Sequence, residues 1–258
     1  MNPFDSASIG AGYAKSRPPI HPHILAEATR LLRRTEPWRR ALDVGCGAGL
    51  STKALEGFAR ERVGLEPAES MLRWAREIAP EASFVIGAAE AMPIDRGAID
   101  VITAAGSLNY VASLNRFFPE AERVLSPDGI LLVYDFSAGS RFRDSVLLKE
   151  WTEAFTARYP IPVSEAATLN PSILAGLDSR FRLIAARELT LILTLSPSFY
   201  IDYVMTETNV AAAVRRGNSE AEIRSWCETT LAPVWLGEPH EVLFDCYFAC
   251  LCLTRAPD

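Results

Sequence analysis

Leu42-Asp43-Val44-Gly45-Cys46-Gly47-Ala48-Gly49 decides how the rest of the chain is read. The apolar run Ala41–Val44 breaks into three glycines separated by single small residues, and a helical pattern starts from about Ser51. Glycines at a strand-to-helix turn let the backbone bend tightly and come close to a ligand, because a Cβ would obstruct both. A second signal ends the next apolar run, in Val63-Gly64-Leu65-Glu66-Pro67. A carboxylate placed there can accept hydrogen bonds from both hydroxyls of a ribose. The glycines alone are weak evidence; with Glu66 they predict a nucleotide-type site at the ends of two strands.

Short apolar runs alternate with helical stretches around this loop. A helix through Ile24, Leu25, Ala28, Leu31 and Leu32 is closed by Pro37. After the glycine loop and its helix come Arg62–Leu65, a helix through Met71, Leu72 and Ala75, Ser83–Ile86, Ile99–Thr103, a helix from Ser113 to Leu125, and Ile130–Phe136. This alternation predicts a parallel sheet with helices on both faces. The rhythm breaks after Ser140. Residues 140–179 are mixed helical and proline-interrupted, Arg182–Leu195 is β-rich, Glu220–Leu231 is helical, and Val242–Leu253 reads as a strand buried on both faces. The expected architecture is α/β: a Rossmann-like, mostly parallel seven-stranded sheet with its last strand antiparallel, plus a helical cap. One domain spans 1–258, with an N-terminal helical segment 1–38, a cofactor-binding core 39–138, a cap inserted at about 139–180 and 196–218, and a sheet completed by about 181–195 and 241–254.

Composition narrows the function classes. With 258 residues and 49% hydrophobic content, the chain buries a large core without needing disulfide staples. Its net charge of −6 gives no general attraction to nucleic acid or anionic lipid. Arg33, Arg34, Arg39 and Arg40 cluster around Trp38 and read as a solvated face. Five cysteines, none in a C-x-x-C pair, fit a reduced cytoplasm and predict no metal site. Cys246, Cys250 and Cys252 share one strand face as small core residues. No segment suits a signal peptide or a bilayer span, so a cytoplasmic protein is expected.

Nicotinamide dehydrogenases also use a glycine loop followed by an acidic residue. In their fingerprint G-x-G-x-x-G/A the third small position would fall on Leu50, where close helix–strand packing disfavours leucine. Asp43 before the loop also disfavours a pyrophosphate, whereas it can help hold a cationic amine through ordered groups or water. LDVGCGAGLST resembles the first motif of the class I S-adenosylmethionine-dependent methyltransferases. The resemblance continues through Gly87-Ala88-Ala89-Glu90-Ala91-Met92-Pro93, Ile99-Asp100-Val101-Ile102 and Arg123-Val124-Leu125-Ser126-Pro127-Asp128-Gly129-Ile130-Leu131, in the family's order.

The resemblance implies S-adenosyl-L-methionine as cofactor. It places Gly45, Gly47 and Gly49 against the methionine and ribose portions, Asp43 and Ala105 beside them, and Glu66 on the ribose hydroxyls. Ala89 would offer its N–H to adenine, with Pro67 and Met71 as apolar contacts. Many relatives have aspartate where this chain has Ala88, which shifts adenine recognition to Glu90 or water. Tyr13-Ala14-Lys15-Ser16-Arg17-Pro18 resembles the entry of a small-molecule subgroup that includes trans-aconitate methyltransferases, whose tyrosine and arginine help enclose the cofactor. Where relatives often carry histidine and tryptophan after the fourth strand, this chain has Asn109 and Tyr110, so no catalytic histidine is carried over.

The expected reaction is in-line methyl transfer to a small-molecule acceptor, possible acceptor bodies being aromatic or apolar, with alignment and water exclusion as the main work. Candidates for a general base are His23, Tyr110 and Asp135, with His21 and His240 behind them. His21 and His23 flank Pro22 at a helix start, where capping or exposure is the plainer reading, and His240 falls in an expected surface turn. Trp151, Phe155, Tyr159, Phe199, Tyr200 and Tyr203 fit either a substrate lining or simple helix docking. Other S-adenosylmethionine chemistry on the same scaffold stays open, a nicotinamide oxidoreductase less so. Monomer and homodimer are equally compatible with the sequence.

Overall fold

A computed structural model describes residues 16–163 and 166–254. The chain divides into two compact units. Residues 19–136, 166–189 and 246–254 form the sheet unit, and residues 16–18, 137–163 and 190–245 form the other.

The sheet unit opens with α1 (His21–Leu31), whose Ile24, Leu25 and Ala28 are buried. Its helix ends before Pro37, because Arg33 takes a left-handed conformation at φ 52 and turns the chain. The strands β1 (Trp38–Val44), β2 (Ala59–Glu66), β3 (Ser83–Ile86), β4 (Ile99–Ala105) and β5 (Leu125–Phe136) follow, with α2 (Leu50–Ala54), α3 (Glu69–Ile78) and α4 (Leu114–Val124) between them. Trp38 starts β1 fully covered, with the Arg34 guanidinium 4.8 Å over its ring. The neighbour order is β3-β2-β1-β4-β5, all parallel, so the chain direction across the sheet reverses between β1 and β4. Ligands of open α/β sheets bind beyond the carboxyl ends of the strands at such a switch point. The glycine loop is at that place.

Two more strands, β7 (Phe181–Leu195) and β8 (His240–Leu253), complete the predicted seven, and β8 pairs antiparallel with β5 from Ile130↔Cys252 to Phe136↔Cys246. The sheet has an eighth member not foreseen from the sequence, the two-residue β6 (Arg141–Phe142), which pairs with Leu243 and Val242 of β8. A two-residue strand is below the length at which alternation can be read.

The second unit contains α5 (Leu147–Arg158), α7 (Pro197–Val204), α8 (Thr208–Arg215) and α9 (Glu220–Trp235), while the short α6 (Pro171–Leu174) belongs to the sheet unit. Trp151 and Phe155 stack at 5.0 Å and pack with Trp226 of α9, and Trp151 Nε1 donates to Thr230 Oγ1 at 2.8 Å. Those rings dock helices on one another. His240 opens β8 instead of lying in a turn: its Nε2 is 3.0 Å from the Trp235 carbonyl and its ring packs 4.7 Å from Phe142.

One arginine staples the loop after β3 to α4. Arg123 donates to the carbonyls of Ile94 (2.7 Å) and Met92 (2.8 Å) and forms a two-pronged pair with Glu120, which itself accepts from the Met92 amide at 2.8 Å. Its hydrogen bond with Arg123 holds the Glu120 carboxyl below its usual pKa, with burial opposing. A depressed folded value means that Glu120 stabilises the fold above its unfolded pKa and loses that contribution as pH falls through the folded one. Arg123→Ala is expected to cost about 2 kcal/mol in urea unfolding at neutral pH. Glu120→Gln is expected to flatten the fall in stability on acidification over the carboxylate range; an unchanged acid limb would refute the staple.

Candidate functional site

The loop between β1 and α2 is shaped by what its glycines avoid. Gly45, Gly47 and Gly49 all have positive φ, at 67, 51 and 89 degrees. A Cβ on Gly45 would stand 2.5 Å from Ser107 Cβ, and one on Gly49 would stand 2.8 Å from Ala75 Cα in α3. These two positions let the loop pass the end of β4 and let α2 close on α3. Around Gly47 the space is open apart from Met71 Cε, 3.6 Å from the Cβ position. The backbone beside Gly47 is therefore left uncovered, and a side chain there would occupy that space. The amides of Gly45 and Cys46 both donate to the Leu65 carbonyl, at 2.8 and 3.1 Å, tying the loop to the end of β2.

Glu66 ends β2 almost fully buried and is oriented by two amides: Gly47 N–H on Oε2 at 3.1 Å and Ala68 N–H on Oε1 at 3.0 Å. The glycine loop and this carboxylate are thus one device. Asp43 is the anchor beneath it. Entirely buried, it accepts from Ser51 and Thr52 hydroxyls at 2.6 Å each on Oδ2 and from Thr103 at 2.9 Å on Oδ1. Burial pushes its pKa up, and the three hydroxyls oppose that by favouring the charged form. Enclosed in this way, Asp43 acts on the loop from below, joining β1, the start of α2 and β4. Cys46 lies between the two carboxylates; burial, then Asp43 and Glu66, push its thiol pKa far up.

Elsewhere along the rim, Ala105 closes β4, paired with Tyr134. Ala88 is exposed and bridges to Ala91, while Ala89 is buried. Glu90 accepts from the Ser113 amide at 3.1 Å, which occupies one oxygen in capping α4. Pro67 is exposed and Met71 buried beside Gly47. In the other unit, Arg17 pairs with Glu207 at 3.1 Å, donates to the Thr206 carbonyl and lies 5.2 Å over the Tyr203 ring. Tyr13 lies outside the described residues.

The base candidates separate by environment. His23 is exposed on α1, and Tyr110 is 61% exposed in the short 3₁₀ turn Leu108–Tyr110 after β4. His21 is neither a cap nor exposed: its Nδ1 is 3.0 Å from the Tyr134 hydroxyl, and its ring packs edge-on against Tyr134 and Phe136. Asp135 is half-buried near the end of β5, accepting from Asn109 Nδ2 at 3.2 Å and from the Phe136 amide at 2.8 Å. Burial raises its pKa against those two donors. Sequence reasoning missed Ser107, whose hydroxyl donates to the Val44 carbonyl at 2.6 Å, and the hydroxyl cage of Asp43. The pair Ser51-Thr52 directly after the glycines was its only visible sign.

A strand, a glycine turn opening to a ligand, and an acidic residue ending the next strand define a nucleotide-type site on a Rossmann-like sheet. Comparisons with known proteins sharpen that class. Residues 42–133 match a family model described as a methyltransferase domain. An uncharacterized methyltransferase of Mycobacterium tuberculosis is 34% identical over 93 residues, 36% of this chain and 38% of that protein. The chain therefore spans less than two-fifths of the length of that curated relative. A solved structure from Anaeromyxobacter dehalogenans, assigned to the type II methyltransferases, superposes with a TM-score of 0.70 at 20% identity, covering 90% of this chain and 95% of that one. A phosphoethanolamine N-methyltransferase of Haemonchus contortus, solved with S-adenosylhomocysteine, shares the fold at a TM-score of 0.51 and 15% identity, covering 90% of this chain and 52% of that one. Residues 42–133 are thus similar in sequence to a methyltransferase domain, and the chain shares the Rossmann-like fold of these methyltransferase structures.

Asp43→Ala would leave three inward-pointing hydroxyls without an acceptor, and is expected to lower stability by about 3 kcal/mol in denaturant unfolding. Thr52→Val, which removes one donor, should cost about 1 kcal/mol. Equal stability of wild type and the Asp43 variant would remove the anchor role.

Proposed function

We propose that the protein transfers a methyl group from S-adenosyl-L-methionine to a small-molecule acceptor. The observation that carries this reading is the coupling of the open Gly47 cradle to Glu66 at the switch point of a methyltransferase-type sheet. The residues present fit the cofactor. Glu66, fixed by two amides, holds the ribose hydroxyls; the Gly45–Gly49 turn admits the amino-acid portion without a Cβ in the way; Met71 and Pro67 offer apolar contact, and Ala89 an amide, for adenine. When bound, the cofactor supplies an electrophilic methyl on a sulfonium sulfur. The chain's own work is to orient the acceptor in line, exclude water and take up a proton where the acceptor carries one.

An acceptor with an apolar or aromatic body fits the rim, where Tyr110 presents an exposed ring in the turn after β4. The acidic net charge makes polyanionic nucleic acid a poor acceptor. No helix among the described residues is long and apolar enough to cross a membrane.

Calorimetric titration with S-adenosylhomocysteine, beside a nicotinamide dinucleotide, tests the cofactor class. Saturable binding of the former alone is expected. Glu66→Ala should weaken it at least tenfold, in line with about 1.5–3 kcal/mol for charge-assisted hydrogen bonds. Transfer of a labelled methyl group to an acceptor separates a transferase from other chemistry on this cofactor. Binding of the dinucleotide with none of S-adenosylhomocysteine would overturn the proposal.

A further inference from the structure

Beside the glycine loop, the turn after β4, the end of β5 and the middle of β8 bring together polar groups that the fold does not use up. Asp135 and Tyr247 are cross-strand partners, so their side chains share one face of the sheet. Asn109 reaches the same carboxylate through Nδ2, and its backbone carbonyl is held by the Ala167 amide at 2.8 Å, which fixes the turn carrying it. A Cβ on Gly106, at φ 60, would stand 2.9 Å from Asp135 Oδ1, so the glycine makes room for the acid. The Asn109 Oδ1 and Tyr247 hydroxyl oxygen atoms are buried and have no hydrogen-bond partner among the described residues. Asp135 has no ion-pair partner among the described residues either.

Buried polar atoms left unpaired cost free energy, and sites that hydrogen-bond a ligand carry that cost until it arrives. The cluster offers the unpaired Asn109 amide oxygen, the Tyr247 hydroxyl that can donate or accept, and the Asp135 carboxylate, which has no countercharge among the described residues. That inventory matches a group rich in N–H donors and positively charged better than a neutral hydroxyl, which has a single hydrogen to give. We propose that Asp135, Asn109 and Tyr247 form the acceptor subsite and that it takes the ammonium or amine head of the molecule to be methylated; this rests on the methyltransferase reading above.

The position supports the assignment. Gly45 touches Ser107, Ser107 begins the turn bearing Asn109, and Asn109 contacts Asp135, so a continuous set of contacts runs from the cofactor cradle to the acid. In the reaction, Asp135 takes a proton from the bound ammonium, leaving a neutral amine. The amine lone pair forms the N–C bond while the C–S bond breaks, its electron pair staying on the sulfur, and the product leaves as a methylated ammonium. Burial raises the Asp135 pKa and so makes its carboxylate a stronger base, while charge pairing favours binding of the ammonium form.

The test is calorimetric titration of the full chain with benzylammonium and with benzyl alcohol, which differ only in the head group, each with and without saturating S-adenosylhomocysteine. Benzylammonium is expected to bind saturably and at least tenfold more tightly than the alcohol. Asp135→Asn should weaken benzylammonium at least tenfold, and Tyr247→Phe, which removes only the unpaired hydroxyl, at least threefold. Affinity for S-adenosylhomocysteine should stay within twofold of wild type in both variants. Absence of benzylammonium binding, equal binding of the alcohol, or indifference to Asp135→Asn would overturn the subsite. Loss of S-adenosylhomocysteine binding in the wild type would instead overturn the methyltransferase reading, while the cofactor-free titrations would still decide the amine site.

Discussion

The hydrogen-bonded enclosure of Asp43 is the constraint on which the site depends. A carboxylate without solvent is expensive, and the fold keeps it by pointing three hydroxyls at it from α2 and β4. Those bonds draw two parallel strands and a helix start to a single point, directly under the turn that must stay open. With β1 and β4 joined there, the ends of the loop above are held in place. The Leu65 carbonyl and Glu66 then fix its amides from the neighbouring strand. The cradle is therefore prepared by interactions internal to the sheet unit, before any ligand contributes.

The same logic extends sideways. Ser107 binds the end of β1, packs on Gly45 and starts the turn that carries Asn109 and Tyr110. Arg123 does comparable work on the opposite flank, where it pins the Met92–Ile94 backbone to α4 and so holds the segment containing Ala88, Ala89 and Glu90. Polar side chains serve here mainly to hold backbone in place. The groups left for chemistry are few, and most of them sit at the strand ends.

The sequence made the fold legible because its signals are local. Alternating apolar and helical runs marked the first five strands, β-rich and continuously apolar runs marked β7 and β8, and the glycines with Glu66 marked the turn of the sheet order. What escaped were contacts between residues far apart in the chain. Thr103 reaches Asp43 and His21 reaches Tyr134 only once the sheet exists, so no spacing rule announces them. His240 looked like turn material beside Pro239, yet ring packing against Phe142 and a bond to the Trp235 carbonyl draw it into a strand. The stripe Trp151, Phe155 and Tyr159 was readable as a face, but its neighbour Trp226 was not, and that neighbour decides that the stripe packs helices. Of the candidate site, the glycine turn and Glu66 were readable from the sequence as neighbours; the hydroxyls that hold Asp43 beneath them were not.

Cys46 shows what the surrounding carboxylates do beyond shaping the loop. On the proposed reading, a sulfur nucleophile in a turn beside a methyl sulfonium would be a hazard, since a thiolate attacks alkylating centres readily while a thiol does not. Burial and the negative charges of Asp43 and Glu66 push the thiol pKa up and so favour its protonated form. Under the proposed function, the loop could thus use a small sulfur side chain, packed against Leu72, Ala75 and Phe84, without alkylation by its cofactor.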